Sequence, residues 1–327
     1  MAKRSTKAAP GRGAAPADTR PIPAWVAPVV FIFAAIIVFR EFVFGISGLL
    51  GTDTVALSYF ARNFYTTFVQ SFGRFPLWDP LLFGGLPFVE GMHGDIFYPP
   101  TLALFFMDTM RMWGWKMVLH VILAGVFTYM FLREVGLRRE LALFGGLVYM
   151  MGADLVSLVL PGGDGKLMVS ALAPLAFWLT ERAVRNRRIA DYAWLSLGIA
   201  LLVFTSHMQA AYFCIWGFSL YFLFRVAQTW RADRNTGRAL VAVGSLAAAG
   251  VLAVAAASVQ FVPPLQYLRE WSHRADRTVT ADPEAAYEFA TSYSINPEET
   301  ASLIIPDFSG HQAQTETRPP TYWGATR

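Results

Sequence analysis

The sequence predicts an all-α polytopic membrane protein: about seven transmembrane helices and a long first extracytoplasmic loop containing interfacial helices. Three observations predict that class. The 327 residues are 55% hydrophobic and only 15% charged, whereas a soluble domain carries roughly a quarter charged residues. Apolar stretches recur along the chain, with a mean hydropathy of +0.40. Lys and Arg collect in alternate connections between those stretches.

Residues 1–20 are basic and rich in Ala, Pro and Gly, which reads as a disordered tail. The uncharged stretch 21–39 approaches the roughly 20 residues a span needs. It exceeds a signal-peptide core and no small-x-small site follows, so it reads as an uncleaved anchor. Further apolar segments lie at about 114–132, 141–160, 167–181, 190–207, 209–224 and 240–262. Residues 189–224 contain one acid, Asp191, and no Lys or Arg. As one helix they would run roughly 54 Å, so they must fold back, near SHMQA at 206–210. A second hairpin turns at PGGDGK, 161–166, where Pro161, Gly162 and Gly163 interrupt the helix.

The tail and the connections after the second, fourth and sixth spans each hold three or more Lys or Arg, whereas the short opposite turns contain only Lys166. By the positive-inside rule the amino terminus is cytoplasmic. The expected organisation is a tail at 1–20, a transmembrane bundle at 21–262 with its outer loop at 45–113, and an extracytoplasmic segment at 263–327. The pI near 9.2 is then a topology signal, and no nucleic-acid partner is expected. Cys214 is the single cysteine, so no intrachain disulfide can form. P-loop, dinucleotide, HExxH and CxxC motifs are absent from the sequence.

Within the outer loop, Leu57, Phe60, Phe64, Phe68 and Phe72 recur at helical spacing, with Arg62, Asn63 and Thr66 on the polar side. This predicts a helix lying in the membrane interface. PLWDPLLFGGLPF and DIFYPP follow, dense in Pro, Gly and rings. Fixed and positive φ values make this a set of defined turns. Trp78, Phe83, Phe88, Phe97 and Tyr98 suit the headgroup zone. A membrane-anchored cap over the bundle is the simpler reading of the same residues.

The ordered set GTDTVALSYF (51–60), PLWDPLLFGGLPF, DIFYPP, GGDGKLMVSALAPLAFWLTER (162–182), SHMQAAYF (206–213), PEETASLIIPDFSG (297–310) and YWG (322–324) resembles the YfhO-like bacterial membrane proteins. These belong to the GT-C class of polyprenyl-phosphate-sugar glycosyltransferases. The resemblance implies a GT-C type fold in the bacterial cytoplasmic (inner) membrane. It also implies a hexosyltransferase that moves a sugar, with inversion, from a polyprenyl-phosphate donor to an extracytoplasmic acceptor. Family chains continue with further spans, so this one is expected to be an amino-terminal portion.

A phosphate leaving group needs little protonation, so a single base suffices. The resemblance implies Asp53 as the candidate base, because members of that class carry an acidic residue just past the first span, although Asp-Thr before a helix is also an N-cap. Lys166 could contact the lipid phosphate, or serve as an interfacial anchor or a partner of Asp164. Arg62 and Arg111 are further cation candidates. His207, Gln209, Trp78 and Tyr98 are candidates for substrate contact. Asp154, placed inside the third span, is expected to face the bundle or a wet cavity. No metal site is assigned, although a divalent ion could use Glu90, His93 and Asp95. A transporter or flippase of a lipid-linked substrate, or an envelope scaffold, remain the alternatives; membrane lipids are partners under all three readings.

Overall fold

A computed structural model describes residues 22–46, 48–49, 51, 54–55, 59–82, 84–92, 94–159, 162–271, 284, 287, 291, 297–305, 308 and 310. The chain divides into two units, Met1–Val262 and Pro263–Arg327.

Apolar helices make up the first unit. They are α1 (Val26–Val38), α2 (Arg40–Phe44), α3 (Tyr59–Phe72), α4 (Thr109–Val135), α5 (Arg139–Met150), α6 (Ala153–Val156), α7 (Asp164–Asn186), α8 (Ile189–Phe204), α9 (Met208–Asp233) and α10 (Thr236–Ala256). A last helix, α11 (Ser258–Glu270), runs across the division into the second unit. There the described residues also form a 3₁₀ helix at Pro297–Leu303.

Four helices, α4, α7, α9 and α10, are long and apolar enough to cross a membrane. The other three expected spans coincide with helices that are shorter than a span needs, the first of them starting only at Val26. Helix α1 has 13 residues, α5 has 12 and α8 has 16. Their breaks have local causes. Phe39 leaves helical geometry between α1 and α2, although its N–H still reaches Ala35. The third span stops at Met151-Gly152 and resumes as the single turn α6. Both predicted hairpin turns fall between helices, at 205–207 and just before Asp164.

Helix α7 is the hub, with 67% of its apolar window buried, and it packs on α4, α8 and α9. In contrast, α9 and α10 bury only 22% and 11% of theirs, so apolar side chains cover their outer faces as a lipid-facing surface requires. Around Phe31 of α1, backbones approach closely. A Cβ at Gly146 would lie 2.5 Å from that ring and 2.8 Å from the Gly125 carbonyl oxygen. Glycine is required there by space.

Helix α3 inverts the simplest reading of its pattern. Ala61, Arg62, Tyr65 and Thr66 are its buried residues, while Phe60 is 51% and Phe72 63% exposed. Phe60 and Phe72 at its ends therefore face away from the protein, as an interfacial helix would have it, Phe64 packs on Phe88, and Arg62 and Thr66 face in. The following loop builds its own small core. Tyr65, Phe75, Phe88, Phe97 and Phe105 meet at ring distances of 5.5–5.9 Å. A two-residue ladder pairs Trp78–Asp79 with Leu86–Pro87. The Trp78 indole lies where a Cβ of Gly85 would sit, 2.7 Å away, and Gly85 has φ +114°.

Candidate functional site

Four charged side chains meet where this loop rests on the bundle. Arg62 comes from α3, Asp95 from the loop, Lys116 from α4 and Asp164 from the first turn of α7. The Arg62 Nε donates to Asp95 Oδ1 at 3.0 Å. The Lys116 Nζ donates to Asp95 Oδ2 at 2.8 Å and to Asp164 Oδ2 at 3.3 Å. Arg62 Nη2 also pairs with both carboxylates. Thr101 Oγ1 adds a donor to Asp95 Oδ2 at 2.7 Å. Among the described residues two cations face two anions in this buried group.

Isolated ions at such depth would be costly, and mutual pairing with full hydrogen bonding is what makes the burial tolerable. Burial opposes the charge on Arg62, but Asp164 and Asp95 outweigh it and hold the guanidinium above its ordinary pKa. Burial would likewise raise the Asp95 carboxyl, yet Arg62 and Lys116 hold it well below the usual carboxylate range. Asp95 is 1% exposed, whereas the Asp164 side chain reaches 13%. The quartet thus opens outward only at Asp164.

His120 supports Lys116 from the next turn of α4. The Lys116 carbonyl can only accept, so His120 Nδ1 carries the proton at 2.7 Å. In the neutral ring Nε2 then accepts from the Tyr98 hydroxyl, also at 2.7 Å. Burial, then Asp95, raises the phenol and keeps it a donor.

The turn before α7 gathers the other outer segments. Gly162 has φ +86°, and a Cβ there would collide with Thr54 Oγ1 and lie 2.8 Å from Thr54 N. A Cβ at Gly165 would lie 2.9 Å from His207 Cβ. Ser206, at φ +61°, donates through Oγ to the Gly94 carbonyl at 2.8 Å. It receives Gln260 Nε2 at 3.0 Å. Gln260 is buried and its Oε1 has no partner. A non-glycine residue held at positive φ by two such bonds is local strain fixed by its surroundings.

The candidates read from sequence separate on this map. Asp53 lies outside the described residues; its neighbour Thr54 is packed on Gly162. Arg62 is at the centre of the quartet and Tyr98 is at its edge. Lys166 is exposed beside the turn and does not pair with Asp164, which faces Arg62 and Lys116 instead. His207 caps α9, its Nδ1 accepting from Ala210 N at 3.2 Å, which leaves Nε2 as the proton-bearing nitrogen. Burial lowers its pKa. Gln209 is exposed in the first turn of α9, two residues after His207.

Arg111 is occupied structurally, donating to the Phe42 carbonyl at 2.8 Å and lying 4.5 Å over the Phe42 ring. Trp78 is exposed on the ladder. The placement of Asp154 needs correction: it is exposed on α6, because the third span ends at Met151 instead of continuing around it. Among the described residues no group of three potential metal ligands occurs, and Asp95 instead faces two cations. His93 lies outside the described residues.

Sequence reasoning missed Lys116 and the central role of Asp95 and Asp164. Lys116 gave a usable signal, since it is a charge inside an otherwise apolar helix.

Comparison with known families gives a match between residues 99–298 and the 6-pyruvoyl-tetrahydropterin synthase related domain, described as a membrane protein. The matched region begins with a 3₁₀ helix at Pro99–Phe105, continues through α4, α7 and α11, and includes Thr101, Lys116 and Asp164. No curated protein matches the chain, and no solved structure does.

Proposed function

Starting from a chain that belongs to this membrane-protein family of the 6-pyruvoyl-tetrahydropterin synthase related domain, we propose a membrane glycosyltransferase of GT-C type. It moves a sugar from a polyprenyl-phosphate donor to an extracytoplasmic hydroxyl. The placement among YfhO-like proteins belongs to this proposal and rests on the ordered segments of the sequence. One observation supports it most. Thr54, Asp164, His207 and Gln260 come from segments far apart in sequence, yet they are brought to one end of the bundle beneath a loop fixed by buried charges.

In this reading Asp53, next to Thr54, takes the proton from the acceptor hydroxyl. The acceptor oxygen bonds the anomeric carbon from the face opposite the phosphate, and the carbon–oxygen bond to the lipid phosphate breaks. The configuration inverts, and the departing lipid phosphate keeps the electron pair. Lys166, exposed at the turn, meets that phosphate. His207 Nε2 and exposed Gln209 suit sugar hydroxyls, while buried Gln260 holds the turn through Ser206. Arg62, Asp95, Lys116 and Asp164 are buried and paired with one another, so in this reading they position the loop and act through geometry.

A second reading has its own observation. Buried Asp95, Asp164, Lys116 and His120 would suit an ion-coupled carrier of lipid-linked substrates. A photoreactive polyprenyl-phosphate sugar separates the readings. The enzyme reading expects crosslinks confined to peptides containing residues 54, 166 and 207, together with product formation. Crosslinks spread along the bundle, with movement of substrate but no product, would favour the carrier.

A further inference from the structure

At the opposite, arginine-rich end of the bundle, a groove of about 420 Å³ opens between the start of α8 and the start of α10. Its polar end is formed by Arg187, Arg238 and Asn235, and its apolar wall by Ile189, Val241 and Ala242. We infer that this groove binds one anionic phospholipid, the phosphodiester lying between Arg187 and Arg238 and an acyl chain running along α10.

Charge supports that occupant. Arg187 and Arg238 share a single carboxylate, Asp233, at 3.9 and 3.3 Å. Two cations against one anion leave one positive charge, which a single phosphodiester matches. Neither guanidinium is enclosed; their side chains are 45% and 60% exposed. The nearby acid Asp191 is already paired with Arg182 at 2.9 Å and adds no competing charge.

Depth and shape agree. Trp230 donates its indole N–H to Thr236 at 3.3 Å beside the groove, the kind of ring that lies at headgroup level. Ile189 is 88% and Val241 70% exposed next to the arginines, so apolar and cationic surface adjoin. Beyond Arg238, α10 has no charge and exposes a face of Ala, Gly, Val and Leu suited to a fatty chain. Basic pockets between spanning helices are established headgroup sites. A free phosphate would use the arginines but gain nothing from the apolar wall.

The test uses the full chain in detergent, exchanged into mixtures of phosphatidylglycerol and phosphatidylcholine, with retained lipid counted by native mass spectrometry. The wild type should retain phosphatidylglycerol preferentially. Arg187→Gln with Arg238→Gln should weaken that preference by roughly fivefold per arginine. Asp233→Asn should strengthen it by about the same factor, a gain that misfolding would not produce. Inorganic phosphate should not displace the lipid. Equal retention of the two lipids by the wild type, an unchanged preference in the arginine variant, or displacement by phosphate would each overturn the inference.

Discussion

Replacing Asp95 by Asn should be among the most damaging isosteric changes in the chain. The carboxylate is 1% exposed and receives Arg62, Lys116 at 2.8 Å and Thr101 at 2.7 Å. Asn keeps the shape and one carbonyl acceptor, but it removes the charge and places an NH₂ where donors already point. Among the described carboxylates Arg62 and Lys116 would then keep only Asp164, so one negative charge is lost from a dry site that still holds two cations. Removing one partner of such a pair costs about 3–5 kcal/mol. The assay is unfolding of the purified protein in mixed micelles by increasing dodecyl sulfate, followed by circular dichroism. Asp95→Asn with Lys116→Met removes one charge of each sign, and it should recover more than about 1 kcal/mol of the loss. An Asp95→Asn midpoint within about 0.5 kcal/mol of wild type, or strict additivity in the double variant, would refute the reasoning.

Acid should expose the same group. The folded Asp95 carboxyl lies below its ordinary value near 3.9, so its stabilisation is complete above roughly pH 4. It is lost as pH falls through the lower, folded value. The wild-type minus Asp95→Asn stability difference should therefore be flat from pH 8 to about 5 and shrink in stronger acid; a difference that grows on acidification contradicts it. Gly162→Ala should impair the outer site with the bundle still folded. Positive φ costs a non-glycine residue about 1–2 kcal/mol, and Thr54 N would be 2.8 Å from the new methyl. Protease sensitivity near residues 51–58 should rise while the helical signal stays, and unchanged sensitivity would argue against that packing. Arg111→Ala should lower stability by about 1–2 kcal/mol through lost contacts to Phe42, without changing donor crosslinking. Loss of crosslinking at equal stability would return Arg111 to the donor site.

Much of the helical architecture is legible in the sequence because apolar runs, Pro-Gly turns and arginine placement are local signals. SHMQA and PGGDGK mark real helix boundaries for that reason. What hydropathy could not reveal is where a run stops being one helix. The third span reads as continuous, yet Met151-Gly152 ends it and leaves Asp154 exposed.

For the outer site, Arg62 and Tyr98 were visible as residue types, but their partners were not. Asp95 and Lys116 are 21 residues apart in the chain, and Arg62 and Asp164 are 102 apart. No spacing rule links them; only the packing of α3 and the loop on α4 and α7 does. The polar stripe of α3 contained a hint, since Arg62, Tyr65 and Thr66 share the side opposite the phenylalanines. That side is polar because it meets buried charges, and the sequence pattern alone could equally mean water.

The most direct measurement is sugar transfer from a labelled polyprenyl-phosphate sugar in proteoliposomes, comparing the full-length gene product with its Asp53→Asn form at equal folding and donor binding. The account predicts inverted product from the wild type and a loss of at least about 100-fold in the variant, the scale of a removed general base. Equal transfer by both forms would contradict Asp53 as the base, and no transfer by either across a panel of sugars would contradict the glycosyltransferase itself.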